Sequence, residues 1–264
     1  LNARITKKSY DKWKKIPKMS KILFKNFDIC FSQNYETKKY LRSLGAKKIK
    51  FIGNLKFSES KTEKNYNFNS NLKKIFKSKK IWCAASTHNT EERICATVHE
   101  KLKNKYKNLL TIIIPRHIQR ADEITNEIKD MGLKVQAHSS SNKTNNNTEI
   151  YLVDTFGETK SFFKICKTVF LGGSIINHGG QNPLEPVRFG CRILHGPNIQ
   201  NFAEVYNLLE KNNLSHKFYN SNQLAKLVDK SFGKNMNTSN KIRKIKKTGS
   251  NILNNTLIEI NHYL

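Results

Sequence analysis

The chain has 264 residues, a formal net charge of +28 and five cysteines. Its length allows one large domain, or one complete domain with part of another, and no run reaches the roughly 18 apolar residues of a membrane-spanning helix. The widely spaced, odd-numbered cysteines disfavour a zinc cluster or a disulfide framework and fit a reducing cytoplasm. The charge favours an anionic partner such as nucleic acid, lipid headgroups or a nucleotide, but the accompanying excess of Asn and Ile, typical of an AT-rich genome, leaves an incidental origin equally open.

The first predicted elements form a β-α-β unit. Apolar runs predict strands over 27–32 and 49–52, and the spacing between them predicts a helix over 35–44 that Gly45 ends. The next segment, 58–70, is rich in Lys, Asn and Ser and lacks periodicity, which is typical of an interdomain linker. We therefore expect a first domain to end just before this segment.

The remaining part of the chain, 71–264, alternates strands and helices. This alternation predicts a parallel sheet with helices on both faces, which is the doubly wound α/β class. The chain after the last predicted strand is expected to be helical. A final helix over 241–264 is expected to pack across the same domain, and the alternative is a helix that lies on a membrane surface. Strands are predicted over 81–85, 109–114, 168–171 and 192–194 and near Val135 and Tyr151, and helices over 90–103, 119–131 and 183–189 and near Phe162.

A glycine-rich turn follows one of the predicted strands. In Gly172-Gly173-Ser174 the backbone N–H groups could approach a phosphate closely, and the start of the following helix adds its positive dipole end. Asn182 and Glu185 lie at that helix start, where Glu185 is a candidate to accept both hydroxyls of a ribose. The alternative interpretation is a tight turn followed by an exposed helical glutamate.

A second candidate group, Pro115-Arg116-His117, ends the apolar strand over 109–114. Arg116 offers a rigid fork for a phosphate or carboxylate, and His117 could hydrogen-bond or shuttle a proton. Taken alone, a single histidine at such a position is more often structural.

Two further strand ends carry polar residues. The hydroxyl of Ser86 or Thr87 either caps the next helix or contacts a substrate, since two glutamates follow in the first turn. Gly157 and Glu158 come after the strand near Tyr151, and Glu158 either holds a nucleotide or complements the dipole of a helix.

Taken in order, these motifs make the chain similar to the bacterial 3-deoxy-D-manno-octulosonic acid (Kdo) transferase family over nearly its whole length. The resemblance is specific because chance does not easily supply the series. The matching motifs are Asn2-Ala3-Arg4, Gly53-Asn54-Leu55-Lys56, Ser86-Thr87-His88, Pro115-Arg116-His117, Asp154-Thr155-Phe156-Gly157-Glu158, Gly172-Gly173-Ser174, Gly179-Gly180-Gln181-Asn182-Pro183-Leu184-Glu185-Pro186, Gly196-Pro197 and Asn201-Phe202.

The resemblance implies a GT-B glycosyltransferase with two Rossmann-like domains. On this basis 1–57 is the end of the acceptor-binding domain, 58–70 the linker and 71–264 the complete domain that binds CMP-Kdo. The implied reaction transfers Kdo with inversion to a lipid A precursor at the cytoplasmic face of the inner membrane, in lipopolysaccharide biosynthesis, without a metal or cofactor. The implied donor site consists of Ser86, Arg116, His117, Gly157, Glu158, Gly172, Gly173, Ser174, Asn182 and Glu185.

Some features depart from the family pattern. Gln181 and Asn198 stand where the family commonly has histidine, so we do not expect proton transfer at either position. The family's catalytic base is a glutamate in a glycine-rich motif of the acceptor-binding domain, which is expected before Leu1. We therefore expect the chain to be a fragment with no catalytic base of its own and no transferase activity alone.

Two other functions stay open at this point. One is another GT-B enzyme that uses a UDP-sugar, such as a lipid A disaccharide synthase or a UDP-sugar epimerase. The other is a basic nucleic-acid-binding protein, although no aromatic-interleaved basic motif, zinc finger or evident helix-turn-helix supports a specific nucleic acid partner.

Overall fold

The structure is a computed structural model that describes residues 1–58, 68–143, 145–233 and 239–263. The chain forms two compact units: the first comprises Leu1–Thr62 with Arg243–Leu264, and the second comprises Glu63–Ile242. Most of the linker predicted over 58–70 falls on residues 59–67, which lie outside the described residues.

Within the described residues the strands are β1 (Cys30–Ser32), β2 (Ile49–Phe51), β3 (Lys80–Thr87), β4 (Leu109–Pro115), β5 (Val135–Ala137), β6 (Ile150–Leu152), β7 (Thr168–Leu171), β8 (Arg192–His195) and β9 (Ser215–Lys217). The helices are α1 (Lys7–Lys14), α2 (Pro17–Lys25), α3 (Tyr35–Ser43), α4 (Ser70–Ser78), α5 (Glu91–Lys103), α6 (Ala121–Asp130), α7 (Thr159–Ile165), α8 (Leu184–Arg188), α9 (Ala203–Lys211), α10 (Ser221–Gly233) and α11 (Ser239–Asn261).

The first unit contains the predicted β-α-β unit. Strands β1 and β2 pair in parallel and α3 connects them. Helix α3 begins at Asn34, whose side chain accepts a hydrogen bond from the Thr37 backbone N–H at 2.7 Å, a common N-cap arrangement. Leu41 and Leu44 from the helix end pack with Phe24 of α2 in a small apolar core. The prediction of this unit is confirmed.

The second unit is built on a seven-stranded parallel sheet in the order β5-β6-β4-β3-β7-β8-β9. Every residue of β4 is buried, as are Trp82 to Ala85 of β3. Central strands of a parallel sheet are covered on both faces, so such continuous apolar runs are expected there. The fold is therefore the doubly wound α/β class that the sequence predicts.

The strand order of this sheet places a crevice at its centre. Strand β3 pairs with β4 on one side and with β7 on the other, so the sheet grows in opposite directions from β3. At such a switch point the loops after the two neighbouring strands run to opposite faces of the sheet and leave a crevice between them. Ligands of open α/β sheets bind in this crevice, outside the carboxyl ends of the strands.

Two differences from the predicted elements follow from local sequence. The prediction that only helices follow β8 is wrong, because the polar segment Ser215–Lys217 forms the edge strand β9, and three residues without apolar alternation give no strand signal. The second difference concerns α11, which was predicted to pack across the second domain. From Arg243 onward it belongs to the first unit, where a side chain at Gly249 would meet the Phe57 carbonyl oxygen at 2.1 Å.

In the parts of the chain that the structure describes, no helix combines the length and the apolar character needed to cross a membrane.

Candidate functional site

Three imidazoles meet at the carboxyl edge of the seven-stranded sheet. His88 follows β3, His117 follows β4, and His178 lies in the loop after β7. The ring centroids of His88 and His178 are 4.5 Å apart, and those of His88 and His117 are 5.9 Å apart. The Nε2 atom of Gln181 lies 3.4 Å from that of His88. The strand order of the sheet thus brings together side chains that are far apart in sequence.

Gly173 lies among these side chains in the left-handed conformation, with φ +64°. A Cβ atom built at this position would lie 3.2 Å from the His178 ring and 3.3 Å from both His88 Nε2 and Gln181 Nε2. The three side chains therefore pack closely around Gly173, and a Cβ atom at this position would require them to shift. We call His88, His117, His178 and Gln181 the histidine cluster.

The surroundings of His88 are positively charged. Burial first, and then the charges of His178, His117, Arg116 and Arg120, lower the pKa of His88 from 6.5 to about 4. His88 is therefore neutral at pH 7. Among these neighbours the guanidinium groups of Arg116 and Arg120 carry a permanent positive charge, and positive charge beside a crevice attracts anions.

Arg116 and His117 lie where the sequence places them. The backbone N–H of Arg116 donates to the Thr87 carbonyl oxygen at 2.9 Å, which ties the end of β4 to the end of β3. Both side chains are exposed. The structure thus presents a guanidinium and an imidazole to solvent beside the histidine cluster, and their roles in donor binding stay predictions.

Glu91 occupies the anion position of the glycine-rich turn. Its carboxylate, which is fully buried, accepts the backbone N–H groups of Gly173 at 2.7 Å, Ser174 at 3.2 Å, Ile175 at 3.0 Å and His88 at 3.0 Å. A carboxylate that receives several amide donors is strongly stabilised as an anion. One side chain therefore joins the loop after β3 to the loop after β7.

The predicted use of the turn amides for a phosphate is consequently wrong. The Gly173 and Ser174 N–H groups donate to Glu91, and the Gly172 N–H group donates to the Ala85 carbonyl oxygen at 2.9 Å. The sequence correctly indicated an anion at this turn, but the anion is a protein carboxylate.

Gly172 is needed for a close approach of two backbone segments rather than for ligand access. A Cβ atom at 172 would lie 2.3 Å from the Ser86 carbonyl oxygen, 2.6 Å from Thr87 Cα and 2.7 Å from Glu91 Oε2. Ser86 itself adopts the left-handed conformation, with φ 56°, at an irregularity in the pairing of β3 with β4. The predicted substrate contact of Ser86 stays a prediction, while the backbone of this residue is part of a tight crossing.

The side chains of Ser174 and Asn182 have partners inside the protein. Ser174 is fully buried; its hydroxyl donates to the Leu171 carbonyl oxygen at 2.6 Å and accepts the Gly196 N–H at 2.9 Å. The Ser174 hydroxyl is therefore engaged within the protein, and its predicted donor contact stays a prediction. Asn182 Oδ1 accepts the Leu184 N–H at 3.1 Å at the start of α8, and its predicted donor contact stays a prediction.

Glu92 and Arg120 form a second buried link. The Arg120 guanidinium lies 3.1 Å from Glu92 Oε1, and Glu92 is fully buried. Burial raises the pKa of Glu92, although hydrogen bonds and the charge of Arg120 oppose that effect. The two carboxylates that follow β3 are thus both engaged within the protein.

The remaining predicted residues lie after β6 and at α8. Glu158 accepts a hydrogen bond from the Thr155 hydroxyl at 3.0 Å and lies 2.6 Å from Nε2 of the buried His138. Gly157, with φ 87°, forms the turn before it. Glu185 is partly exposed and lies 3.5 Å from the Lys160 ammonium. Their predicted nucleotide contacts stay predictions.

Comparison with known proteins decides the family. A family model described as 3-deoxy-D-manno-octulosonic-acid transferase matches residues 1–59. A protein from Haemophilus influenzae named 3-deoxy-D-manno-octulosonic acid transferase is 31% identical over 211 residues, which are 79% of this chain. An Aquifex aeolicus protein of the same name is 30% identical over 230 residues, which are 86% of this chain. The chain belongs to the Kdo transferase family.

The matches cover only part of these relatives. The aligned region spans 49% of the Haemophilus protein and 61% of the Aquifex protein. Among solved structures, the C-terminal CMP-Kdo binding domain of WaaA from Acinetobacter baumannii superposes with a TM-score of 0.58 at 22% identity, covering 69% of this chain and 93% of that one. This likeness supports the GT-B fold that the resemblance implies.

The two departures from the pattern of Kdo transferases have distinct structural settings. Gln181 contacts His88 in the histidine cluster. Asn198 donates from Nδ2 to the Ile175 carbonyl oxygen at 2.9 Å and from its backbone N–H to the Ser174 carbonyl oxygen at 2.9 Å. Asn198 therefore supports the loop after β7, and Gln181 lies beside the candidate site.

Sequence reasoning missed two members of the site, His88 and His178. His88 ends a motif that drew attention only for its hydroxyls, and His178 immediately precedes Gly179-Gly180. Each histidine follows a predicted strand, and the sequence shows that position. The sequence does not show that the two side chains come together. Among the described residues, no group of three or more His, Cys, Asp or Glu side chains could hold a metal ion.

Proposed function

We propose that this chain is the donor-binding part of a Kdo transferase and that it binds CMP-Kdo at the carboxyl edge of the seven-stranded sheet. The observation that carries the proposal is that Arg116, His117, His88 and His178 meet at the carboxyl ends of three adjacent strands, beside carboxylates that are already paired. A crevice of this kind fits an anionic ligand. Membership of the Kdo transferase family, with a solved domain of similar fold described as CMP-Kdo binding, supports the choice of ligand.

Within this proposal, Kdo passes with inversion to a hydroxyl group of a lipid A precursor while CMP leaves, as a step of lipopolysaccharide biosynthesis. Negative charge increases on the leaving phosphate. Donors that are held in place before the reaction stabilise such charge without reorganising. Arg116 and His117, fixed at the end of β4, are the donors that the fold leaves exposed for this purpose. The proposed step relies on these side chains rather than on a metal ion.

The experiment that tests this function is calorimetric titration of the chain with CMP, UMP and cytidine in the presence of a chelator. We expect CMP to bind more tightly than UMP, and chelation to leave the affinity unchanged, because the phosphate is held by side chains. Tighter binding of UMP would favour a GT-B enzyme that uses a UDP-sugar. Retention on DNA that persists at moderate salt would instead favour a nucleic-acid-binding protein.

Arg116 and Glu185 are expected to act on opposite ends of the nucleotide. Replacing Arg116 by Ala removes a charge-assisted contact, so the affinity for CMP should fall by about 1.5 to 3 kcal/mol while cytidine binding barely changes. Glu185→Gln weakens acceptance of two ribose hydroxyls, so CMP and cytidine should lose affinity alike. Titrations of both variants with both ligands measure these effects.

Matched ligands separate these roles from general damage to the site. A 2′-deoxy analogue of cytidine should bind Glu185→Gln and the parent chain almost equally, because the hydroxyl contact is missing in both. If Arg116→Ala weakens cytidine as much as CMP, or Glu185→Gln leaves cytidine affinity intact, the assignment of these two residues is wrong.

We also infer that helix α2 contacts an anionic lipid surface, in line with an acceptor at the inner membrane. Ser20 and Phe24 face the core of the first unit, whereas Met19 is 62% exposed and Ile22 is 67% exposed. Lysines 18, 21 and 25 lie on the same helix. Exposed apolar side chains between lysines on a helix are typical of a segment that lies on a membrane surface.

Vesicle binding tests this surface. We expect the chain to bind vesicles that contain anionic phospholipid and to bind zwitterionic vesicles far less. Met19→Ser with Ile22→Ser should lower the partition coefficient by about tenfold or more, because two apolar side chains no longer leave water. Tyr219→Ser is the matched control, since Tyr219 is 66% exposed in the second unit. Equal losses in the control and the double variant would contradict the assignment.

A further inference from the structure

The histidine cluster combines features that the family resemblance does not assign. Its rings come from the loops after three adjacent strands, and those of His88 and His178 pack against Gly173, where the lack of a Cβ atom lets them lie close to the backbone. His117 and His178 are exposed, and His88 is half-buried between them. Three imidazoles placed side by side offer several N–H donors within a few ångströms, which is an arrangement suited to a group with several acceptor oxygens.

The charged groups around the cluster have partners that leave the imidazole rings unpaired. Arg116 and Arg120 are the cations that act on His88, and Glu91, Glu92 and Glu123 are the nearby carboxylates, two of which pair with Arg120. Glu91 receives four backbone N–H groups and Glu92 receives Arg120. Within the described ranges, the ion pairs formed by histidines involve His99, His138 and His195, and none involves the three rings of the cluster. The cluster therefore lacks a counterion of its own.

We propose that His88, His117 and His178 form an anion clamp, which holds the negatively charged group of the donor through imidazole N–H groups and takes up a proton from solvent as the donor binds. This inference rests on the proposed donor-binding function. It adds His88 and His178 to the predicted donor-binding residue His117, together with a pH dependence. His178 is the more accessible of the two to test because its side chain is exposed.

The direction of the pH dependence follows from the free state of the cluster. His88, with its pKa near 4, is neutral at pH 7 when no ligand is bound. A bound anion stabilises the protonated form of an adjacent imidazole and offsets the repulsion from the neighbouring cations. Binding is therefore linked to proton uptake, and affinity rises as the pH falls, by at most about tenfold per pH unit for each proton taken up. At high pH the clamp retains only neutral N–H donors.

A suitable probe is the methyl ester of CMP, whose single phosphodiester charge does not change between pH 6 and pH 8. We expect the affinity of the 264-residue chain for this ester to rise at least about fivefold from pH 8 to pH 6, while cytidine affinity stays constant. His178→Gln should lose about three- to tenfold in affinity at pH 6, because one donor of the clamp is changed, and His88→Gln should lose most of the pH dependence. His262→Gln, at an exposed histidine of the first unit, should match the parent.

Nuclear magnetic resonance provides a second readout, in which a variant serves only to assign a signal. With labelled imidazole nitrogens at pH 6.5, the ester should move the signals that are lost in His88→Gln towards the pattern of the protonated ring. The signal of His99, which is buried with Nδ1 2.9 Å from the Thr111 hydroxyl, should not move.

The possible results separate the clamp from the proposed function. Ester binding that is independent of pH, or unchanged in His178→Gln, or without imidazole shifts, overturns the clamp while donor binding stands. If neither the ester nor cytidine binds, the donor-binding function is wrong and the clamp falls with it. Binding that strengthens at low pH only through the histidines supports both.

Discussion

Replacing Glu91 by Ala is expected to lower the free energy of unfolding of the second unit by about 4 kcal/mol or more. The carboxylate accepts four backbone N–H groups from two loops in a fully buried position. Its removal leaves those donors without a partner, and each unsatisfied buried donor costs about 1 to 3 kcal/mol. Glu91→Gln should be almost as damaging, because one oxygen is replaced by an N–H₂ group that faces other donors.

Fluorescence can follow this unfolding separately in the second unit. The chain has two tryptophans, Trp13 in the first unit and Trp82 in the core of the second, so urea titration in a Trp13→Phe background reports on the second unit alone. Glu123→Ala is the control: Glu123 is exposed and pairs with Arg120 at 3.0 Å, so its loss should leave the free energy of unfolding almost unchanged. Equal stabilities of the Glu91 and Glu123 variants would show that Glu91 does not hold the loops.

Glu91 also shows where sequence reasoning reaches its limit. Its position in the first turn of α5 indicated a favourable interaction with the helix dipole, which is a local property. Its hydrogen-bond partners Gly173 and Ser174 lie more than eighty residues further along the chain, with sequence separations of 82 and 83. The pattern of glycines after β7 indicated an anion-binding turn but carried no information on which anion fills it.

The helices and strands were largely predictable because a buried face requires apolar residues at regular spacing in the sequence. The uninterrupted apolar run of β4 and the β-α-β unit around α3 follow directly from that pattern. The pattern shows that one face of a helix is buried and not what covers it, which explains why α11 was predicted to pack with the second domain. The convergence of His88 and His178 depends on strand order, and strand order depends on contacts distant in sequence.

Gly172→Ala is expected to destabilise the second unit by roughly 3 kcal/mol or more and to abolish measurable CMP binding. The added methyl group would lie 2.3 Å from the Ser86 carbonyl oxygen and 2.6 Å from Thr87 Cα. Both contacts are with backbone, so relief requires the loop after β3 to move, and overpacking of this kind costs more than the usual 1 to 3 kcal/mol. That movement also displaces His88 and breaks the hydrogen bonds of Glu91, so stability and ligand binding should fall together.

Two other glycines separate this steric effect from backbone strain. Gly132 has φ +78° and no atom within 4 Å of a built Cβ. Gly132→Ala should therefore lower the free energy of unfolding by only roughly 1 to 2 kcal/mol, which is the cost of placing a residue with a side chain in the left-handed conformation. Gly173→Ala has the same backbone strain. In addition, its methyl group would lie 3.2 to 3.3 Å from the ends of the His178, His88 and Gln181 side chains, which can shift. Its stability should therefore resemble that of Gly132→Ala, while its CMP affinity falls because the methyl group displaces the side chains of the histidine cluster. If Gly172→Ala is as stable as Gly132→Ala, the close crossing of the two loops is wrong. If Gly173→Ala binds CMP normally, the positions of the cluster side chains do not determine binding.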